Sequence, residues 1–264
     1  MNILVCIKQV ADTEARILLK SDKKSLEIEN KYNMNFFDEF AVEEAIRIKN
    51  KIKDSQITVC TYGTKKAVEA LRTAIAMGAD RAFLLDNTGL DSDDPLITSK
   101  ILANFAKQEG FDLMFCGRQA IDDENANIGA MIAELLGMPH VSAVLKFDII
   151  DEKKVRVESE IEGGKETLEV QLPALFTTQK GINEPRVPLI TGVMKAMKAS
   201  ITVVDPSTFE GLSKELIDMT ASKISILTYE TPKGRPAVKI VDGETPGEKV
   251  KSLINILKEE AKVL

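Results

Sequence analysis

Apolar positions along the first half of the chain fall into two alternating rhythms. Asn2–Lys8 is a short apolar run that predicts a strand. Asp38–Ile52 follows the helical period: Ala41, Val42, Ala45, Ile46 and Ile48 form an apolar face, and Glu43, Glu44, Arg47 and Lys49 a wet one. Gln56–Tyr62 predicts a strand. Lys65–Met77 predicts a helix with Val68, Leu71 and Ile75 on one stripe, stopped at Gly78. Arg81–Leu85 is a further strand, and Pro95–Gln108 a helix opening on proline with Ile97, Ile101, Leu102 and Phe105 aligned. Asp112–Cys116 predicts a strand, and Ala126–Leu136 a helix ended by Gly137 ahead of Pro139. Strands that alternate with helices predict a parallel sheet covered on both faces.

The rhythm then changes. Ser142–Ile150, Val155–Ile161 and Glu166–Leu172 alternate apolar and polar side chains, with turns at Asp151–Lys154 and Gly163-Gly164. They predict an antiparallel meander over 142–172. Pro173–Gln179 is an apolar strand that rejoins the main sheet. From Asp205 onward Pro206, Gly211, Pro232, Gly234, Pro236, Gly243, Pro246 and Gly247 interrupt the pattern, and Glu248–Val263 is the one helix predicted there. Such a segment has too few apolar residues for a core of its own and must pack on the first domain or on another chain, with another chain expected. The expected division is a first domain over 1–204 and an arm over 205–264.

Composition narrows the chemistry. With 264 residues and a net charge of −6, the chain is an ordinary globular length and is not basic, which argues against nucleic acid as a partner. No apolar run reaches the ~18 residues of a membrane span. The opening Met1–Lys8 lacks the cationic head and cleavage site of a signal peptide, so the expected compartment is the cytosol, or an organelle matrix after removal of a leader. There is one histidine, His140, no tryptophan, and three widely separated cysteines, Cys6, Cys60 and Cys116. Multi-histidine metal sites are excluded, and no cysteine pair has metal-ligand spacing. Binding and positioning fit these absences better than bond-breaking chemistry.

Each cysteine ends a predicted strand that runs into a polar segment: Lys8–Thr13, Tyr62–Lys66 and Gly117–Asn127. Ligands of open parallel sheets bind outside the carboxyl ends of the strands, so these three loops are expected to line one crevice. Gly63-Thr64 and Asn125-Ala126-Asn127 each precede a helix whose free N–H groups suit a phosphate. Neither a GxGxxG nor a phosphate-loop motif is present. On the residues alone, the loops are either an anion-binding edge or ordinary turns with cysteines as core fillers. Asp122-Asp123-Glu124 reads as a solvated helix cap rather than a metal site, and His140 as a loop or core histidine. Gly181–Lys198 places Asn183-Glu184-Pro185-Arg186 before apolar Val187, Leu189 and Ile190 and a Met/Lys helix pattern. It is either a buried crossover or an exposed apolar anchor for a partner.

These residues resemble the beta subunit of electron transfer flavoprotein nearly end to end. The likeness is carried by VCIKQVADTE at 5–14, NFFDEFAVEEAIRIK at 35–49, LRTAIAMGADRA at 71–82 and GRQAIDDENANIG at 117–129, and by EIEGGKETLEVQLPALFTTQKGINEPRVP at 160–188. The resemblance implies a Rossmann-like, mostly parallel sheet with helices on both faces, an antiparallel meander, and an extended C-terminal arm that wraps an alpha subunit. It implies an electron carrier rather than an enzyme, with FAD bound mainly by alpha and AMP in the beta crevice. In the electron-bifurcating branch that crevice holds a second FAD, and a free-standing adenine-nucleotide module is a third reading. Implied partners are the alpha subunit and flavin dehydrogenases such as acyl-CoA dehydrogenases; membrane contact comes only through a quinone oxidoreductase acceptor. The implied compartment is the cytoplasm of a bacterium or the mitochondrial matrix.

The matching motifs also imply roles for particular residues. The AMP pocket would use Cys6, Asn35, Tyr62, Gly63, Thr64, Asp123, Ala126, Asn127, Ile128 and Gly129. Backbone groups at Cys6 and Tyr62 would read the adenine edge, Asp123 would engage the ribose or a loop amide, and the N–H groups of Ala126–Gly129 would hold the phosphate. Thr13 and Phe37 would approach the alpha-bound flavin. Asn183, Glu184, Pro185, Arg186, Leu189 and Ile190, within the 181–198 segment, would form the recognition loop for the dehydrogenase, and Glu160 would steady the moving flavin domain. Ala126-Asn127-Ile128 lacks the threonine that AMP-binding members often carry there, and KQVADT resembles the bifurcating branch, whereas the intact NEPR loop with Leu189 and Ile190 resembles the carrier branch.

Overall fold

The alternation of strand and helix patterns builds one nine-stranded sheet. The computed structural model describes residues 1–88, 94–212, 222–235 and 237–264; residues 213–221 and Pro236 of the expected arm therefore lie outside the described residues. Asn2–Cys6 forms β1. Residues 9–34, where the pattern predicts no element, form two small antiparallel pairs: β2 (Gln9–Ala11) with β5 (Tyr32–Met34), and β3 (Ile17–Leu19) with β4 (Leu26–Ile28). Next come α1 (Phe36–Lys51), β6 (Gln56–Gly63), a 3-10 turn at Lys65–Ala67, α2 (Val68–Met77) and β7 (Arg81–Asp86). They are followed by α3 (Pro95–Glu109), β8 (Leu113–Gly117) and α4 (Ile128–Leu136). The meander is β9 (His140–Asp151), β10 (Lys154–Ile161) and β11 (Gly164–Gln171); β12 (Ala174–Thr178), α5 (Ile190–Lys198) and β13 (Thr202–Val204) complete the sheet and its helices.

The strand order is β11-β10-β9-β12-β8-β1-β6-β7-β13. Along the strand order, pairing from β9 through β13 is parallel, and β10 pairs antiparallel with both β9 and β11. The meander is thus an edge of the main sheet, with β12 inserted between it and β8. From β1 the chain moves one way through β6 and β7, then crosses to β8 on the other side. That reversal makes the boundary between β1 and β8 a topological switch point. Alternate residues of β1 enter opposite cores: Ile3 and Val5 pack with Val42, Ala45 and Leu71, whereas Leu4 and Cys6 pack with Ile101, Phe105 and Ile132. Helices therefore cover both faces, as the near-continuous apolar strands require.

Most element ends agree with the sequence pattern to within a residue or two. Two differences have local causes. The helix predicted from Ala126 starts at Ile128, because Glu124 and Ala126 adopt φ of 51° and 52°, left-handed values that a right-handed helix cannot include. Ile190, expected in a loop, begins α5. Helix α5 lies against α2 at Gly192, where a Cβ would collide with the Ala76 carbonyl oxygen, and the Arg72 guanidinium donates to the Ala196 carbonyl.

The contacts divide the chain into Met1–Leu227 and Thr228–Leu264. Within the first unit, Phe209 and Leu212 are buried against the α3 side of the core, Phe209 with its ring 6.5 Å from Phe105. The second unit contains α6 (Pro246–Asn255), which continues into a π-helical turn at Ile256–Glu260. Its start is fixed by a capping box in which Glu248 N–H donates to Thr245 Oγ1 and the Glu248 carboxylate accepts from Thr245 N–H. Among the described residues, none of the second unit is buried, and no helix is long and apolar enough to cross a membrane.

Gly192→Ala tests the α2–α5 approach. The substitution gains up to about 1 kcal/mol of helix propensity, yet collision with a backbone carbonyl, which cannot swing aside, costs about 1–3 kcal/mol. Net destabilisation is expected in a urea melt; an unchanged or raised midpoint would contradict the close packing.

Candidate functional site

The three cysteines stand in one row across the carboxyl ends of three adjacent strands. Cys6 is in register with Cys60 of β6 and with Cys116 of β8. All three are free and buried, and Cys6 Sγ lies 3.4 Å from Cys60 Sγ. The Cys116 thiol is raised well above its ordinary range by its hydrogen bond with Cys6 and by burial. Cys6 is raised as well: its contact with Cys116 acts the other way, but Cys60, burial and the Asp38 charge outweigh it. Protonated, enclosed thiols are poor nucleophiles. They sit beneath the loops at the carboxyl ends of β1, β6 and β8, which carry the polar groups.

Those loops are tied to each other through the first turn of α1. Asn35 and Asp38 occupy the positions where a helix start ordinarily satisfies its own N–H groups. Neither does so here. The Asn35 amide donates to Gln119 O (2.9 Å) and accepts from Ile121 N–H (3.1 Å), and no side chain caps α1. The Asp38 carboxylate accepts Lys8 N–H at 2.6 Å, just past β1, and Gly117 N–H at 2.9 Å, at the end of β8. Asp38 is 5% exposed, and burial pushes its carboxyl up to about 7 against the opposing pull of those N–H groups and of Lys8. Gly117 is obligatory, because a Cβ there would collide with Asp38 Oδ1 and with Phe37. Above this junction the Lys8 ammonium reaches across the switch point to Asp122 (2.8 Å) and Asp123 (3.1 Å). Asp123 also accepts Asn125 N–H at 3.2 Å.

Helix α4 begins beside this bridge. Its N-cap residue, Asn127, makes no capping bond, so the first N–H groups of the helix carry no side-chain partner. The Oδ1 of Asn127 and the Nε2 of His140 are buried with no hydrogen-bond partner among the described residues. His140 opens β9, and Nε2 is 3.7 Å from where a Cβ on Gly129 would stand. Burial lowers the His140 pKa, which keeps the ring neutral near pH 7. The uncapped helix start offers N–H donors and a positive dipole end to a phosphate, the neutral imidazole one ring nitrogen, and the orphaned amide oxygen an acceptor for an adjoining hydroxyl.

The other expected residues are distributed as follows. Tyr62 and Gly63 end β6, where Gly63 O accepts Asn87 N–H, and exposed Thr64 receives Ala67 N–H at its carbonyl. Thr13 is exposed in the turn after β2. Phe37 is half-buried, edge-on to Phe36, and its carbonyl accepts the Thr178 hydroxyl. Glu160 is exposed and accepts Gln179 Nε2 at 2.6 Å. Asn35 is buried and bonded to the 119–121 loop that it holds.

The 183–190 segment is exposed at its tip and anchored at its root. Asn183 Nδ2 donates to Phe40 O and Glu44 Oε2, both at 3.0 Å. The Arg186 guanidinium grips Glu43 with two bonds of 2.7 and 2.9 Å, and Arg186 N–H adds a third of 3.2 Å. Glu43 and Glu44 are therefore buried rather than on a wet helix face: the loop covers them and supplies their partners. Burial would raise the Glu43 carboxyl, but Arg186 outweighs it and holds it below the usual range. Burial raises Glu44 against the Asn183 amide. Val187, Leu189 and Ile190 are 86%, 75% and 80% exposed, so this is no buried crossover. Glu184 is exposed and Pro185 half-buried between root and tip.

Lys8, Asp38 and Glu43 are site residues that the sequence pattern did not single out. Asp38 and Glu43 look like a helix-start acid and a solvated acid; only their partners 79 and 143 residues away distinguish them.

Two kinds of likeness are found. The family model for the electron transfer flavoprotein domain matches residues 25–208. The electron transfer flavoprotein subunit beta of Bradyrhizobium diazoefficiens is 37% identical over 269 residues, covering 100% of each chain. The proteins of the same name from Mus musculus and Bacillus subtilis are 37% and 35% identical, covering 96% and 100% of this chain and 98% and 100% of their own.

The Asp38 junction gives a pH dependence with a definite sign. A carboxyl raised from 3.8 to about 7 on folding favours the folded state while protonated, and that advantage is lost as pH rises through about 7. Between about pH 5.5 and 8 the loss is about 2 kcal/mol. Asp38→Asn lacks this slope, so its urea-melt stability is expected to gain on the wild type by that amount over the interval. Parallel pH profiles would contradict the assignment.

Proposed function

The chain belongs to the electron transfer flavoprotein family, and on that premise we propose that it is the beta subunit of a two-chain electron carrier. In this reading it binds AMP structurally, leans on a companion chain that holds FAD, and docks flavin dehydrogenases. The bound flavin supplies the electron-carrying chemistry; no residue of this chain breaks a bond. The uncapped start of α4, with the orphaned Asn127 Oδ1 and His140 Nε2 beside it, carries the nucleotide assignment. A phosphate there is held by N–H groups of Ile128 and Gly129, and the hydroxyls and base extend along the strand ends toward Cys6 and Tyr62. Lys8 sets Asp122 and Asp123 at the rim.

The companion chain is supported by the second unit. Val238 and Ile240 are 89% and 83% exposed, and Val250, Leu253 and Ile254 stand exposed on α6. Apolar surface of this kind is a contact awaiting a partner. Thr13 lies in the turn after β2 and Phe37 in the first turn of α1, where the companion's flavin would approach. Leu189 and Ile190, raised on the Arg186–Glu43 clasp, are the proposed anchors for a dehydrogenase, and Glu160 on β10 acts on the motion of the flavin-bearing domain. The working compartment is the bacterial cytoplasm or the mitochondrial matrix.

Two measurements test this reading. The complex purified through this chain is expected to release one FAD and one AMP per heterodimer on denaturation. Two FAD would establish the bifurcating alternative, and a stable monomer without flavin the free-standing module. The double variant Leu189→Ala, Ile190→Ala is expected to raise the dehydrogenase's KM for the carrier about 10–100-fold with flavin content intact; an unchanged KM would remove the anchor assignment.

A further inference from the structure

The first turn of α1 gives up its own capping to hold other segments, and a helix seldom does so without a use for it. Asn35 holds the 119–121 stretch, and Asp38 holds the backbone on both sides of the switch point at once, Lys8 at 2.6 Å and Gly117 at 2.9 Å. Two N–H groups converging on one carboxylate fix the separation of the two chain segments that follow β1 and β8. The first segment carries Lys8, and the second carries Asp122, Asp123 and the start of α4. Gly117 removes the side chain that would keep the carboxylate away.

We infer that Asp38 is a positioning residue for the nucleotide crevice: its carboxylate sets the spacing of the two lips and so the placement of the α4 terminus against the Lys8 rim. The inference rests on the adenylate reading of that crevice. Asp38 itself touches no ligand; it acts through Lys8 and Gly117. An ionised carboxylate offers an oxygen to each N–H, whereas the protonated form replaces one strong acceptor with a hydroxyl. Lip spacing is therefore tied to its charge. The groups that face it are the Lys8 ammonium and the Cys6 thiol at the end of β1, the Cys116 thiol of β8, and the Asn35 amide of its own helix start. Burial brings the change of charge close to neutral pH.

The test uses the intact complex with its companion chain, stripped of nucleotide by dialysis and titrated with AMP by calorimetry at about pH 6 and 8. Wild type is expected to bind about tenfold more tightly at the higher pH. Asp38→Asn is expected to bind about tenfold more weakly than wild type at pH 8 and to lose the pH response beyond that of the phosphate itself. A residue that only stabilised the fold would lower affinity and stability together; here Asp38→Asn gains stability relative to wild type as pH rises while its affinity falls behind. Amide exchange at Lys8 and Gly117 reads the lips without nucleotide, and protection there is expected to drop in Asp38→Asn. Gly117→Ala, which forces the carboxylate out from the opposite side, is expected to reproduce the loss and carries the test if Asp38→Asn does not assemble. Wild-type affinity and protected amides in either variant would overturn the inference. A wild-type complex that takes up no AMP would overturn the adenylate reading, and the exchange data would then decide the lip spacing alone.

Discussion

A single enclosed carboxylate joins the ends of two neighbouring strands at the place where the chain reverses its course across the sheet. Asp38 accepts from Lys8 and Gly117, and the rest of the crevice is arranged around that junction. A glycine must end β8, the helix start must give up its acid, and the thiols beneath must stay neutral beside a buried charge. Holding a charge where water cannot reach is costly. The protein keeps it there because no neutral group of that size accepts two backbone donors from opposite sides.

Helix α1 is the element on which both proposed regions depend. Its first turn holds the crevice through Asn35 and Asp38. Its second and third turns hold the 183–190 loop through the Phe40 carbonyl, Glu43 and Glu44. One face of the same helix packs on the sheet through Val42, Ala45 and Ile46. The proposed nucleotide crevice and the proposed docking loop are therefore both tied to one helix, with α5 braced against α2 beside it at Gly192.

Much of this was legible from periodicity. The helical stripes, the strands ending in cysteine and the change to an alternating meander were set by burial, and burial leaves a repeating signature in sequence. The short pairs β2–β5 and β3–β4 were not legible, because three-residue strands carry no measurable period. The late start of α4 was hidden by left-handed Ala126, a conformation that alanine composition gives no reason to expect. Glu43 and Glu44 misled most plainly. Their helical phase is polar, and only a loop folded back from 143 residues away turns that face inward. Local rules describe what a segment prefers; they are silent on a distant segment that brings its own partners.

The clasp between Arg186 and Glu43 bears on kinetics as well as position. A loop held at its root through both the backbone N–H and the guanidinium of Arg186 has less conformational freedom to surrender when another surface meets its tip. If the proposed docking holds, contact through a few bare aliphatic side chains on such an anchored pedestal would be brief without being weak in selectivity: the visitor would find its seat ready-made and leave without refolding anything.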